Sequence, residues 1–210
     1  MSEERLFERD TAPRRKRPRQ ERSQQTVARI KRAMLGLIAQ EGYAAASTNR
    51  IAELAEVNIS SLYQYFPNKQ AIALTLYEDT SSQLADLVHR CLVQNLAAPL
   101  EHGVARVVGV VVDFLDKEQA TLLRLADEVP ALRESARAMS LENLAAHTSR
   151  IYLHQHLGKL KEADLGRKMF FVQNMSMGLI RRYVLERPAG ISRARFVAEL
   201  SDLLVSYLRR

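Results

Sequence analysis

Between Ile59 and Phe66 the chain sets two hydroxyls (Ser60 and Ser61), a carboxamide (Gln64) and two phenols (Tyr63 and Tyr65) around an apolar pair, Leu62 and Phe66, spaced i, i+4. That spacing predicts a short helix with Leu62 and Phe66 turned to a core, leaving Ile59, Ser60, Ser61, Tyr63 and Gln64 on the other side. Groups of this kind suit the reading of base edges. A serine hydroxyl donates or accepts, a glutamine makes a paired contact with adenine, and an isoleucine touches a thymine methyl. Pro67 ends the helix, because the residue before a proline is biased away from the helical region. Asn68 and Lys69 open the next helix, where backbone N–H groups and a cation converge on a nearby phosphate.

The elements before this stretch are the ones needed to position it. Ser47 and Thr48 supply hydroxyls that cap a helix start. Ile51, Leu54 and Ala55 then give one apolar face over about two turns. Glu56, Val57 and Asn58 interrupt it, with Val57 able to plug between two helices and Asn58 able to cap the second. Two helices joined this tightly match the helix-turn-helix signature, whose second helix lies in the major groove. The stretch Ser47 to Lys69 closely resembles the TetR family of bacterial transcriptional regulators. The resemblance is carried by Ile51-Ala52, Ala55, Val57, the run Ser61-Leu62-Tyr63-Gln64-Tyr65-Phe66, and Asn68-Lys69. Two positions depart from the family pattern: Glu56 stands where a glycine usually sits in the turn, and Ser60 where a glycine is common early in the recognition helix. On this footing Asn49, Ile59, Ser60, Ser61 and Gln64 are expected to touch bases, and Thr48, Tyr63, Tyr65 and Lys69 to hold phosphates.

Charge points to the same partner. The formal net charge is +7, and residues 11 to 32 hold nine Lys or Arg against Glu21 alone, which is 9 − 1 = +8. The rest of the chain is therefore close to neutral, and such a concentrated block is the electrostatic footprint of a polyanion partner. Residues 1–22 lack apolar periodicity and carry Pro13 and Pro18 inside the charge run, so they are expected to form a basic disordered arm. Arg14, Arg15 and Arg17 would follow the minor groove, where closely spaced phosphates attract arginine.

Sparse glycine and proline in a chain rich in Leu, Ala, Arg and Glu favour an all-α protein. An N-terminal three-helix bundle containing the helix-turn-helix (residues 23–70) would precede a larger C-terminal helical domain for ligand binding and dimerisation (residues 71–210). The first helix is expected from Ser23 to Glu41, with Val27, Ile30, Met34, Leu37 and Ile38 as its stripe and Gly42 just past its end. A long helix from Gln70 to about Asn95 begins beside the DNA module and ends in the second domain, as a signal between them requires. Val104 to Leu115 is apolar nearly all round and predicts a buried central helix. Further helices are expected over Gln119–Ala126, from Pro130 to about His156, over Asp164–Glu186 and over Ser192–Arg209.

The last two helices carry more apolar surface than one chain needs. Leu165, Met169, Val172, Ser176, Leu179 and Tyr183 form one stripe of the first, while Phe170, Phe171, Met175 and Met177 occupy other faces. Phe196, Leu200, Leu203 and Tyr207 form a stripe of the second. The surplus would face a second copy, making Leu165–Glu186 and Ser192–Arg209 the homodimer interface. The resemblance implies such a four-helix pairing, and a two-fold protein suits a palindromic double-stranded DNA operator. Phe114, Met139, Asn143, His147, Phe171, Gln173, Asn174 and Met175 are candidates for the lining of a cavity between these helices. It would take a small apolar or amphipathic effector.

Other chemistries lack their residues. Cys91 stands alone, which excludes an intrachain disulfide and a thiolate metal cluster, and it is expected to be a small buried hydrophobe. His154 and His156 are two apart and would diverge on a helix, with no carboxylate cluster beside them, so no metal is expected. There is no phosphate-cradling glycine loop, nucleophile elbow or H-E-x-x-H, so neither an enzyme nor a cofactor is expected. No run approaches the ~20 apolar residues of a membrane span, and the charged N-terminus has no secretory pattern, which together suggest a cytoplasmic protein. The expectation is a repressor that binds a palindromic operator as a homodimer and is released by a small molecule. Its rivals are a small helical ligand-binding or enzyme domain whose basic N-terminus is incidental, or an architectural DNA-binding protein without effector control.

Overall fold

The computed structural model describes residues 17–117, 120–129, 132, 144–158 and 161–210. They form α1 (Arg17–Glu41), α2 (Thr48–Leu54), α3 (Ile59–Tyr65), α4 (Lys69–Gln94), α5 (Leu100–Lys117), α6 (Ala120–Glu128), α7 (Leu144–Leu157), α8 (Glu162–Glu186) and α9 (Arg193–Arg209). No strand occurs among the described residues, and the chain is all-α as its composition implies.

The helix starts follow from side-chain caps. Ser47 Oγ accepts from the Arg50 N–H at 3.3 Å, Asn58 Oδ1 from the Ser61 N–H at 2.7 Å, and Asn68 Oδ1 from the Ala71 N–H at 2.9 Å. Each satisfies one donor that a first turn leaves without a partner. Gly42 closes α1 at φ 83° and its N–H donates to Ile38 O at 3.0 Å, a left-handed cap that costs glycine little. One expectation fails at the other end of α1. The helix begins at Arg17 rather than Ser23, so Arg17 belongs to a helix and not to an irregular arm. Pro18 falls in its first turn, where the missing N–H had no intrahelical acceptor to lose. Arg14 and Arg15 lie outside the described residues.

Ile30, Met34 and Leu37 of α1, Ile51 of α2, Leu62 of α3 and Ile72 of α4 are almost completely buried in one cluster. Removing each such side chain from water is worth roughly 1.5–3 kcal/mol. Leu125, Val129 and Leu132 belong to the same cluster. The apolar core of the N-terminal bundle is thus completed by α6 and the residues after it, well beyond residue 70. Lys31 also pairs with Asp79, tying α1 to the third turn of α4.

The C-terminal body is built around α5, which packs against α4, α8 and α9. Val108, Val112 and Leu115 meet Ile180, Tyr183, Val184, Leu200 and Leu204 there. Tyr183 and Phe196 stack with ring centroids 4.1 Å apart. Of the α8 stripe, Leu165, Met169 and Tyr183 are buried while Leu179 is 42% exposed, and its neighbour Ile180 takes the core position. A third cluster joins Leu92 and Leu100 to Tyr152, Leu165 and Val205. Polar contacts hold α7 against α4 and the turn after it: His89 Nδ1 of α4 lies 2.6 Å from Thr148 Oγ1, while in the turn Leu96 O accepts from Gln155 Nε2 at 2.9 Å and Ala98 O lies 2.7 Å from His156 Nε2.

Candidate nucleic-acid interface and internal cavity

α3 is anchored on one side only. Leu62 is fully buried and Phe66 caps the helix from within the core, while Ser60, Tyr63, Gln64 and Tyr65 are exposed and Ser61 is half-buried. Asn49 is exposed on the neighbouring helix. Thr48 Oγ1 lies 3.1 Å from the Tyr63 hydroxyl, so two of the groups expected at phosphates form one polar patch across α2 and α3. The Tyr65 hydroxyl donates to Ser23 Oγ at 3.3 Å and links α3 to α1. The turn between α2 and α3 places Glu56 at φ 53°. A side chain there costs ~1–2 kcal/mol against the glycine that needs no such compensation. Arg29 Nη1 donates to Glu56 O at 3.4 Å and braces the turn, and half-buried Val57 plugs into the first core.

Two expected DNA contacts are placed otherwise. The Lys69 ammonium donates to Ala46 O at 2.9 Å and Tyr43 O at 3.1 Å, reaches Ala44 O at 3.5 Å, and lies 4.4 Å above the Tyr43 ring. An ammonium has three donors, and here they face the carbonyls of the α1–α2 loop, so Lys69 closes that loop instead of presenting its charge outward. Ile59 is half-buried and packed against the first core, because its position in the first turn of α3 also faces the helix-turn-helix junction.

The C-terminal body holds a partly open cavity of about 460 Å³ between α4, α5, α7, α8 and α9. Its walls are mostly aliphatic, with Val88 and Leu92 from α4, Val104 and Val108 from α5, and Leu204 and Leu208 from α9. Gln173 and Asn174 line it as expected. Phe114, Phe171 and Met175 do not. Phe114 and Met175 pack against the core around α5, and Phe171 is 44% exposed with its ring 5.8 Å from that of Tyr207 on α9. The cause is the helical rotation of about 100° per residue: Phe170 and Met177 fall on the cavity flank of α8, while Phe171 falls on the flank toward α9. Met139 and Asn143 lie outside the described residues, and so does the side chain of His147. Tyr152 and Ser149 of α7 also line the cavity. Nothing in their spacing distinguishes them, since an isolated tyrosine on an apolar stripe reads as core.

Two of the polar groups on this wall spend themselves on their own helix. Asn174 Nδ2 donates to Phe170 O at 2.7 Å and Ser176 Oγ to Gln173 O at 3.1 Å. Burial pushes the Tyr152 phenol up, with Glu101 and Cys91 adding to the shift. Burial likewise pushes the Cys91 thiol up, which Arg106 partly opposes, so Cys91 is a protonated, weakly nucleophilic group. Outside the cavity, Phe171, Leu179 and Leu203 are left exposed along α8 and α9, the last at 49%. Among the described residues no three His, Cys, Asp or Glu gather as a metal site, and no helix is long and apolar enough to cross a membrane.

Residues 30–76 match the family model described as bacterial regulatory proteins, tetR family, and residues 99–208 match the one described as tetracyclin repressor-like, C-terminal domain. No curated protein matches the chain in sequence. Solved structures match across most of the fold. The fatty acid degradation regulator FadR from Bacillus halodurans is 19% identical with a TM-score of 0.68, over 88% of this chain and 97% of its own. A tetR-family transcriptional regulator from Streptomyces coelicolor is 22% identical with a TM-score of 0.66, over 90% of this chain and 80% of its own. The TetR family repressor AlkX from Dietzia, implicated in biodegradation of n-alkanes, is 16% identical with a TM-score of 0.54, over 87% of this chain and 95% of its own. At these identities the likeness is one of fold.

Proposed function

The chain belongs to the TetR family of bacterial transcriptional regulators, and we propose that it is a repressor that binds a palindromic operator as a homodimer and leaves it when a small apolar or amphipathic molecule fills the cavity of the C-terminal body. The observation that carries this reading is that one helix serves both regions. α4 closes the core of the helix-turn-helix with Ile72, Ala73 and Leu76 and walls the cavity with Leu84, Val88 and Leu92. A ligand that displaces this wall acts on the seat of α3. α6 gives a second route, since Leu125 is buried in the N-terminal core while Arg181 Nη2 of α8 donates to Leu123 O at 3.4 Å.

In the dimer, Phe171, Leu179 and Leu203 would lie between the two copies of α8 and α9, and the two α3 helices would enter successive major grooves about 34 Å apart. Asn49, Ser60, Ser61 and Gln64 are the side chains offered to bases, with Thr48, Tyr63 and Tyr65 at the backbone. Ligand would shift the α4 pair and move the α3 helices off that spacing, lowering DNA affinity through a coupling free energy of ~1–3 kcal/mol. Two structural neighbours are named for fatty acid and alkane degradation, which agrees with the aliphatic walls here.

The test is operator selection from random duplexes followed by titration at fixed salt. A selected inverted repeat, bound by two copies of the protein and weakened by Tyr63→Ala, is the expected outcome. Binding that is insensitive to sequence and lost with added salt would refute the operator reading.

A further inference from the structure

We propose that Tyr152 selects the ligand of the cavity, and that this ligand is an apolar molecule bearing one uncharged hydrogen-bond acceptor, such as a ketone or ester carbonyl. The inference rests on reading the cavity as an effector site and names the chemistry that the site takes.

The Tyr152 side chain lines the cavity and is 2% exposed. Its hydroxyl is shut off from water and has no hydrogen-bond partner among the described residues. A hydroxyl so placed has given up its bonds to water and received none in return, a state that proteins rarely leave uncorrected. Its resting place depends on a glycine. A Cβ built on Gly103 would fall 1.9 Å from the Tyr152 oxygen, so the phenol occupies a slot that any larger residue on α5 would close. For a ligand acceptor to meet this donor, the phenol has to swing from that slot into the cavity that Tyr152 lines.

The rest of the lining decides the charge of the ligand. No Asp, Glu, Lys, Arg or His is among the described residues that line the cavity, so an anionic or cationic head would be desolvated without a counter-ion. Asn174 and Ser176 already donate to their own helix. Burial and the nearby Glu101 keep the phenol protonated, which makes it a donor and calls for an acceptor. The volume of about 460 Å³ lies within the ~300–1,000 Å³ of small-molecule sites. Tyr152 is also well placed to report occupancy. Thr148 meets His89 of α4 on one side of it and Gln155 donates to Leu96 in the turn after α4 on the other, so α7 is fastened to α4 and to the turn that follows it, and a shift of Tyr152 is passed to the helix that seats α3.

A medium-chain methyl ketone, the alkane of the same length and the fatty acid of the same length separate the possibilities. Each is titrated against the full-length protein and its Tyr152→Phe variant, by thermal shift and by displacement of a fluorescent apolar dye. In the wild type the ketone should bind about five- to fiftyfold more tightly than the alkane or the acid, the range expected when a buried donor gains its acceptor. Tyr152→Phe keeps the ring, and should bring the ketone down to the alkane while leaving the alkane unchanged. Equal binding of ketone and alkane, a ketone preference that survives Tyr152→Phe, or tightest binding of the acid would each overturn the assignment and leave the cavity an effector site. If none of the three stabilises the protein or displaces the dye, the effector reading falls, and this inference with it.

Discussion

The fold leaves two surfaces uncovered, the outer face of α3 and the outer flank of α8 with α9, and it leaves them with opposite chemistry. On α3 the exposed groups are hydroxyls, a carboxamide and phenols around a fully buried Leu62. On α8 and α9 they are Phe171, Leu179 and Leu203. A hydrated, donor-rich face gains by exchanging water for base edges and phosphates. An apolar stripe gains only by being dried against a similar stripe. One chain thus advertises two partners, and two-fold pairing along the second surface is what would give the first its paired half-sites.

The largest expected effect comes from charging the apolar stripe. Phe171→Glu with Leu203→Glu should give a monomer by sedimentation and lower operator affinity at least ~100-fold, because the two half-sites are no longer held by one particle. Helical circular dichroism should be unchanged, since both residues are exposed; an intact dimer would move the interface elsewhere. Within α3 the contrast can be drawn between adjacent residues. Leu62→Ala should destabilise the fold by about 2–5 kcal/mol in urea unfolding. Tyr63→Ala should stay within about 0.5 kcal/mol of the parent and still weaken operator binding roughly tenfold, by about 1.4 kcal/mol. If Tyr63→Ala unfolds the domain instead, its exposed hydroxyl pair with Thr48 is structural.

A gain is expected in the turn that aims α3. Glu56→Gly removes a side chain from a left-handed backbone and should raise stability by ~1 kcal/mol, measured as a higher denaturant midpoint at constant slope. The smallest effect is electrostatic. Hydrogen bonds from Arg50, both at 2.6 Å, hold the Glu41 carboxyl below its ordinary value of 4.5. A carboxyl lowered on folding contributes stability that is present above its unfolded value and lost as pH falls below it. Glu41→Gln should therefore flatten the acid limb of the stability curve slightly, and only at low salt, because the pair is exposed.

How much of this was legible depended on how local the cause is. Ser47, Asn58 and Asn68 cap the helices they precede, and Gly42 closes α1, because a cap is a matter of a few consecutive residues. Arg17 shows the limit of local composition: charge and two prolines suggest an irregular arm, yet a proline in a first turn is compatible with a helix, and α1 begins at Arg17. Lys69 was assigned to phosphate from its position at a helix start, but the carbonyls that hold it come from Tyr43 to Ala46, some two dozen residues earlier. Gln173 and Asn174 were found at the cavity, whereas Phe171 and Met175 were not. Amphipathic spacing identifies that a helix has several apolar flanks without saying which neighbour each one meets.

The order of residues alone determined that the chain is helical, where most helices begin and end, and that Ser47 to Lys69 forms a helix-turn-helix, since each depends on periodicity and capping over a few turns. Only the tertiary structure decided that α6 completes the N-terminal core, that Ile180 and not Leu179 is buried, and that the Tyr152 hydroxyl rests over Gly103 beside an apolar cavity with no hydrogen-bond partner among the described residues. Those outcomes depend on which distant helices share a boundary. Packing at near-crystalline density is settled by shape across the whole body, which no local window of sequence contains.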